Sequence, residues 1–161
     1  LFTAGPKWLG VQPWDTRKLL WPLLLQAGGW LLWLIGGMVL SHIAIVGAAL
    51  AWVGLVGMTT LFWRLVLCSP APDQIHARTI GAALIAGCLA LAGIVASLAV
   101  QAQDVARVCA LTGLWGCVLV VYVVVAHRMI PFFTSSAMPF IQVWRPFWLL
   151  WLMLGAAVFE A

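Results

Sequence analysis

A chain of 161 residues that is 65% hydrophobic and 7% charged lacks the polar surface of a water-soluble domain, in which roughly a quarter of residues are charged. A soluble enzyme, a disordered segment and a nucleic-acid-binding module are therefore excluded. The net charge of +4 rests on eight Lys and Arg, scattered rather than gathered into the basic stripe that a phosphate backbone requires. The composition is that of an all-α, polytopic transmembrane bundle whose partner is the lipid bilayer.

The few charges mark out the spans. No Asp, Glu, Lys or Arg occurs from Leu19 to Trp63, from Thr79 to Gln103, or from Val108 to His127. A helix crosses hydrocarbon with ~20 apolar residues, so the first stretch makes two spans and the others one each. Four complete spans are expected near 19–40, 43–67, 79–100 and 105–126, with partial helices at both ends, the last at 146–161. All belong to a single transmembrane domain, 1–161. The ~10-residue alternation of a membrane β-barrel is absent. Leu1-Phe2-Thr3-Ala4 reads as the tail of a helix begun earlier, and the run from Pro146 stops at Ala161. The chain is expected to be an internal piece of a longer protein.

In chain order, residues 5–18 form a loop in which Gly5-Pro6 closes the preceding helix and Trp8 and Trp14 suit the headgroup layer. Pro22 falls in the first turn of the first span, where its missing N–H costs little. Ser41-His42 is expected to turn the chain into the second span, whose Arg64 can snorkel outward. Ser69-Pro70-Ala71-Pro72-Asp73 cannot continue a helix, and the loop is expected to run to residue 78. Gln101-Ala102-Gln103-Asp104 makes the next turn. The fourth span meets His127-Arg128, after which Pro131 is expected to stop the helix and open an irregular loop, 128–145.

Loop charges set the orientation. Lys7, Arg17, Lys18, Arg64, Arg78, Arg128 and Arg145 fall on one side and Arg107 on the other. The positive-inside rule makes the first side, with loops 5–18, 68–78 and 128–145, cytoplasmic. Small residues four apart, at Gly47/Ala51, Ala83/Gly87 and Gly93/Ser97, can let backbones approach in lipid or simply reflect abundant Gly and Ala.

Histidine is a common haem or metal ligand, and His42, His76 and His127 are the candidates. His76 reads as a solvated loop residue. His42 is an interfacial turn residue or a ligand. His127 is a ligand or an interfacial partner of Arg128 and the backbone. Arg128 offers a fixed charged fork to a carboxylate such as a haem propionate, or serves as a positive-inside anchor. Cys68, Cys88, Cys109 and Cys117 form no CxxC or CxxCH, so thioredoxin-like and covalent haem sites are absent. Asp15, Asp73, Asp104 and Glu160 pair for no proton-transfer task. Trp30, Trp33, Trp52 and Trp115 lie deep enough to pack helices or flank a flat cofactor.

The segment Ala126-His127-Arg128-Met129-Ile130-Pro131-Phe132-Phe133-Thr134 resembles the signature of the NnrS family of bacterial membrane proteins. Leu1-Phe2-Thr3-Ala4-Gly5-Pro6-Lys7-Trp8-Leu9-Gly10 is similar to the family's early helix end and loop. The resemblance implies a larger inner-membrane protein that contains haem and copper. It also implies a role in nitric oxide metabolism, resistance to nitrosative stress and denitrification. By this resemblance His127, Arg128, Pro131 and Thr134 are motif positions, with His127 and Arg128 the candidates for cofactor binding and His42 a remoter one. The resemblance implies a His-rich family pattern upstream of Leu1 and leaves the haem and copper ligands open, inside or outside this chain. A transporter or permease, and a non-catalytic scaffold or assembly partner, remain as alternatives on composition alone.

Overall fold

The computed structural model describes residues 6, 9–12, 15–71, 74–137, 140 and 146–160, with backbone alone for Thr16, Pro131, Phe132 and 134–137. Among these residues every regular element is helical. Helix α1 runs Thr16–Val39, α2 Ser41–Leu67 and α3 Ile75–Ala99. Helix α4, Gln103–Gly113, passes through a π-helical turn, Leu114–Leu119, directly into α5, Val120–Ala137. Helix α6 is Phe147–Glu160. Four stretches, Arg17–Val39, Ser41–Leu67, Ile75–Ala99 and Gln103–Ile130, are long and apolar enough to cross a membrane.

The helix ends depart from the sequence reading in ways that matter. Helix α1 starts at Thr16, where the Asp15 carboxylate accepts from the Arg17 N–H at 3.1 Å and satisfies one of the orphan donors of the first turn. Pro22 therefore lies inside the helix rather than in its first turn. Leu40 alone breaks the chain between α1 and α2, with extended backbone (φ −151°, ψ 122°) and its N–H on the Gly36 carbonyl. Ser41 and His42 are thus the first turn of α2, not the connection. Helix α3 closes with Gln101 at φ 61° and the Ala102 N–H on the Ser97 carbonyl at 2.8 Å. That is the left-handed C-cap usually given to glycine.

The third correction concerns Pro131. The helix does not stop there but continues to Ala137, so most of the expected 128–145 loop is helix. Proline removes only its own N–H, leaving the His127 carbonyl without its regular helical donor. Membrane helices tolerate that loss. Residues 138–139 and 141–145, including Arg145, lie outside the described residues, as do Lys7, Trp8 and Trp14.

Packing is closest between α1 and α2. A Cβ placed on Gly29 would strike Ala51 N and the Gly47 carbonyl; one on Gly47 would strike Trp33 N and the Gly29 carbonyl. A Cβ on Gly36 would strike Ala44 N, and one on Gly54 would lie 2.6 Å from Gln26 N. The backbones of the two helices touch along this seam because glycine lets them. Tryptophan fastens α2 to α3. Trp63 Nε1 donates to the Gly81 carbonyl at 3.2 Å, and Trp52 Nε1 to the Cys88 carbonyl at 3.0 Å. Of the expected small pairs, Gly47/Ala51 lies on the α1–α2 backbone seam, whereas Gly87 and Gly93 meet side chains, the Cys117 and Cys109 sulfurs, rather than a neighbouring backbone.

The apolar core gathers at one end of the bundle. Phe62, Leu65, Val66, Ile80, Val123, Val124 and Leu150 are nearly inaccessible there, together with Leu9 from the N-terminal segment. The Ser69 hydroxyl donates to the Leu9 carbonyl at 2.8 Å and ties that segment to the α2–α3 connection. Outward faces carry Trp21, Met38, Leu89 and Tyr122, all widely exposed, as suits hydrocarbon rather than water.

Candidate functional site

The core end of the bundle contains the polar centre. Helix α3 begins at Ile75, four residues earlier than expected, with Gln74 at its N-cap position. This overturns the reading of His76 as a solvated loop residue. His76 stands one turn before Ile80 on the buried face and is only 7% exposed. His127 stands one turn beyond Val123 and Val124 on α5 and is only 8% exposed. Two elements whose inner faces are aliphatic at this end thus each deliver one imidazole to the same point.

The rings meet closely. His76 Nε2 and His127 Nδ1 are 3.2 Å apart, and the ring planes differ by 24° with centroids 5.5 Å apart. The other nitrogen of His127, Nε2, lies 3.3 Å from the Pro146 carbonyl. Phe147, at the start of α6, covers the pair, its centroid 6.0 Å from that of His76 and 6.5 Å from that of His127. The polar groups are therefore held by three helices and capped by an aromatic ring.

These contacts fix the tautomers by elimination. A carbonyl oxygen only accepts, so His127 Nε2 carries a hydrogen and donates it to Pro146. In the neutral ring Nδ1 is then an acceptor, and His76 Nε2 is the donor of the shared bond. Only one proton fits between the two facing nitrogens. Two imidazolium rings would set N–H against N–H. In the neutral pair that proton rests on His76 Nε2; when the pair takes up one further proton, at His76 Nδ1, it is singly charged and the shared proton can sit on either ring along the preformed hydrogen bond.

The other sequence candidates fall elsewhere. Arg128 is half-buried beside His127 on α5. His42 is exposed in the first turn of α2, at the opposite end of that helix from Arg64, and the histidine pair does not include it. Pro131 and Thr134 have described backbone in α5, and their side chains lie outside the described residues. Among the described residues no group of three or more His, Cys, Asp or Glu side chains is placed to hold a metal ion. The four cysteines are all unbridged. His76 was the residue that sequence reasoning undervalued. Its signal was the helical spacing of His76, Ile80, Ala83 and Gly87, which extends the third span upstream past Arg78.

A family model described as NnrS protein matches residues 1–161. No curated protein matches the chain, and no solved structure does.

Proposed function

The chain belongs to the NnrS family, and from that membership we propose that it forms part of a bacterial inner-membrane protein of the nitric oxide response. In this reading the buried His76–His127 pair is the polar centre of the segment. The observation that carries it is the 3.2 Å contact between two imidazoles in an otherwise apolar core. A buried ionisable group in a membrane bundle is costly to retain and ordinarily serves function. The basic residues near this end of the bundle, Arg64, Arg78 and Arg128, assign it to the cytoplasmic side by the positive-inside rule. The pair then lies where protons exchange with the cytoplasm, and its role is to hold and pass a proton at His76 Nε2 and His127 Nδ1.

Haem and copper, implied by the family resemblance, do not fit at His127 as it stands. Both of its ring nitrogens are engaged, Nδ1 with His76 and Nε2 with Pro146, so neither is presented to a haem iron. A metal ion would find at most two nitrogen ligands in the pair, short of the four that a closed zinc site needs. A haem or copper centre in the whole protein would take its ligands from other residues, and nothing in the proton-holding role passes through it.

The test uses the full-length protein in a strain challenged with nitric oxide. His76→Ala and His127→Ala are expected to lower tolerance while the protein remains membrane-inserted and the haem absorbance band persists. Unchanged tolerance in both variants would reduce the pair to a packing element. Absence of haem from well-supplied wild-type protein would remove the cofactor part of the reading.

A further inference from the structure

Helix α6 does more at the histidine pair than cover it. It brings no titratable side chain there: within Phe147–Glu160 the one such residue is Glu160, at the far end, about 20 Å along the axis. What α6 brings is the Pro146 carbonyl, 3.3 Å from His127 Nε2. The same carbonyl accepts the Leu149 N–H at 3.1 Å, so the first turn of α6 fixes where it points. A carbonyl accepts a hydrogen bond but does not take the proton. The basic residues at this end, Arg64, Arg78 and Arg128, are guanidiniums with no acceptor. A proton that moves from His76 Nε2 to His127 Nδ1 therefore has no onward carrier among these groups while α6 is in place.

We propose that the start of α6 is a latch on the histidine pair, keeping its proton in until Pro146 lets go of His127. This rests on the proton-holding reading of the pair. The onward step needs water at His127: the Nε2–H bond breaks, its electron pair stays on nitrogen, and water carries the proton to the cytoplasm. His127 is then left with its hydrogen on Nδ1 and a bare Nε2. With α6 docked, that lone pair would face the oxygen of the Pro146 carbonyl, acceptor against acceptor. The docked helix thus disfavours the emptied state as well as closing the exit. His127 is buried under Phe147, so water reaches Nε2 when α6 shifts. The attachment of α6 suits such a movement. Leu150, Leu154 and Ala157 are buried along one stripe, whereas Phe147, Trp148, Trp151 and Leu152 are exposed. Pro146 is in this sense a positioning residue, acting through its main-chain oxygen.

The test is nitrogen NMR of the full-length protein in lipid bilayers, with histidine labelled at both ring nitrogens and His127 assigned from the difference spectrum of His127→Phe. In the wild type His127 is expected as a single Nε2–H tautomer whose hydrogen exchanges slowly with solvent. Leu154→Ala loosens the buried stripe of α6 two turns along from Phe147 and leaves the pair untouched. It is expected to speed exchange of the His127 hydrogen about tenfold or more and to add the Nδ1–H tautomer, while the backbone amides of α3 around Ile80 keep their rates. Gly155→Ala, where a Cβ meets nothing within 4 Å, is expected to change neither. A His127 that is Nδ1–H or mixed in the wild type would overturn the latch. So would a Leu154→Ala protein in which the His127 hydrogen and the α3 amides speed up together, or not at all. If the latch behaves as expected but His76→Ala and His127→Ala keep full nitric oxide tolerance, the latch stands and its place in the nitric oxide response is lost.

Discussion

The α1–α2 seam makes a sharp prediction because its glycines come in two kinds. A Cβ on Gly36 would run into the backbone of Ala44, whereas one on the neighbouring Gly37 would meet nothing within 4 Å. Gly29 and Gly28 repeat the contrast: the first would place Cβ 2.7 Å from the Gly47 carbonyl oxygen and against Ala51 N, and the second meets nothing within 4 Å. Restoring an ordinary contact of 3.4 Å to that carbonyl alone requires the helices to part by roughly 0.7 Å, and the closer Ala51 N requires more. A gap of about 0.5–1 Å already forfeits a quarter to a half of the dispersion attraction of the atoms beside it. The atoms struck are backbone, so no rotamer change relieves the clash. Gly29→Ala and Gly36→Ala are expected to destabilise by about 1–3 kcal/mol, the usual range for overpacking. Gly28→Ala and Gly37→Ala should be neutral or stabilise by up to about 1 kcal/mol through helix propensity. Reversible unfolding of the full-length protein in mixed micelles, titrated with a denaturing detergent, measures all four. Equal effects of Gly36→Ala and Gly37→Ala would refute the close backbone approach.

The histidine pair and the orientation give two further outcomes. Replacing His76 or His127 singly by Phe leaves the surviving ring with an unpaired buried nitrogen and is expected to cost about 1–3 kcal/mol. The double replacement should cost less than the sum, with a coupling of at least about 0.5 kcal/mol in the same unfolding assay, and strict additivity would deny the hydrogen bond. A topology reporter fused after Asp73 in the full-length protein is expected to report the cytoplasm; a periplasmic signal would invert the proposed orientation of the bundle.

Much of the fold was legible because lipid imposes a simple rule. Charge-free stretches long enough to cross hydrocarbon must be helices, since backbone groups there have no water to bond. The ends of the helices were less legible. Arg78 drew the start of the third span inward in the sequence reading, yet the helix reaches back to Ile75 with Arg78 on its outer side, its Nε donating to the Gln74 side chain at 3.2 Å. Pro131 looked like a terminator because proline breaks helices in water, but in a membrane helix it is accommodated. The π-helical turn had no clear signature; Gly113 and Gly116 flank or enter it, and glycines are abundant throughout this chain.

The division for the site follows the same physics. By itself the sequence determined class, helical character and the uneven spread of basic residues, because each depends on composition and local spacing. It also singled out His127, though as a helix-end residue, whereas α5 continues past it to Ala137. The partnership of His127 with His76, 51 positions apart in the chain, was decided only by the tertiary structure. So were the engagement of both His127 nitrogens, the backbone contact of α1 with α2, and the burial of the Gln26 side-chain oxygen. Those depend on which faces of distant helices are brought together. In a chain that is apolar on nearly every face, periodicity does not mark which side turns inward, and only packing decides it.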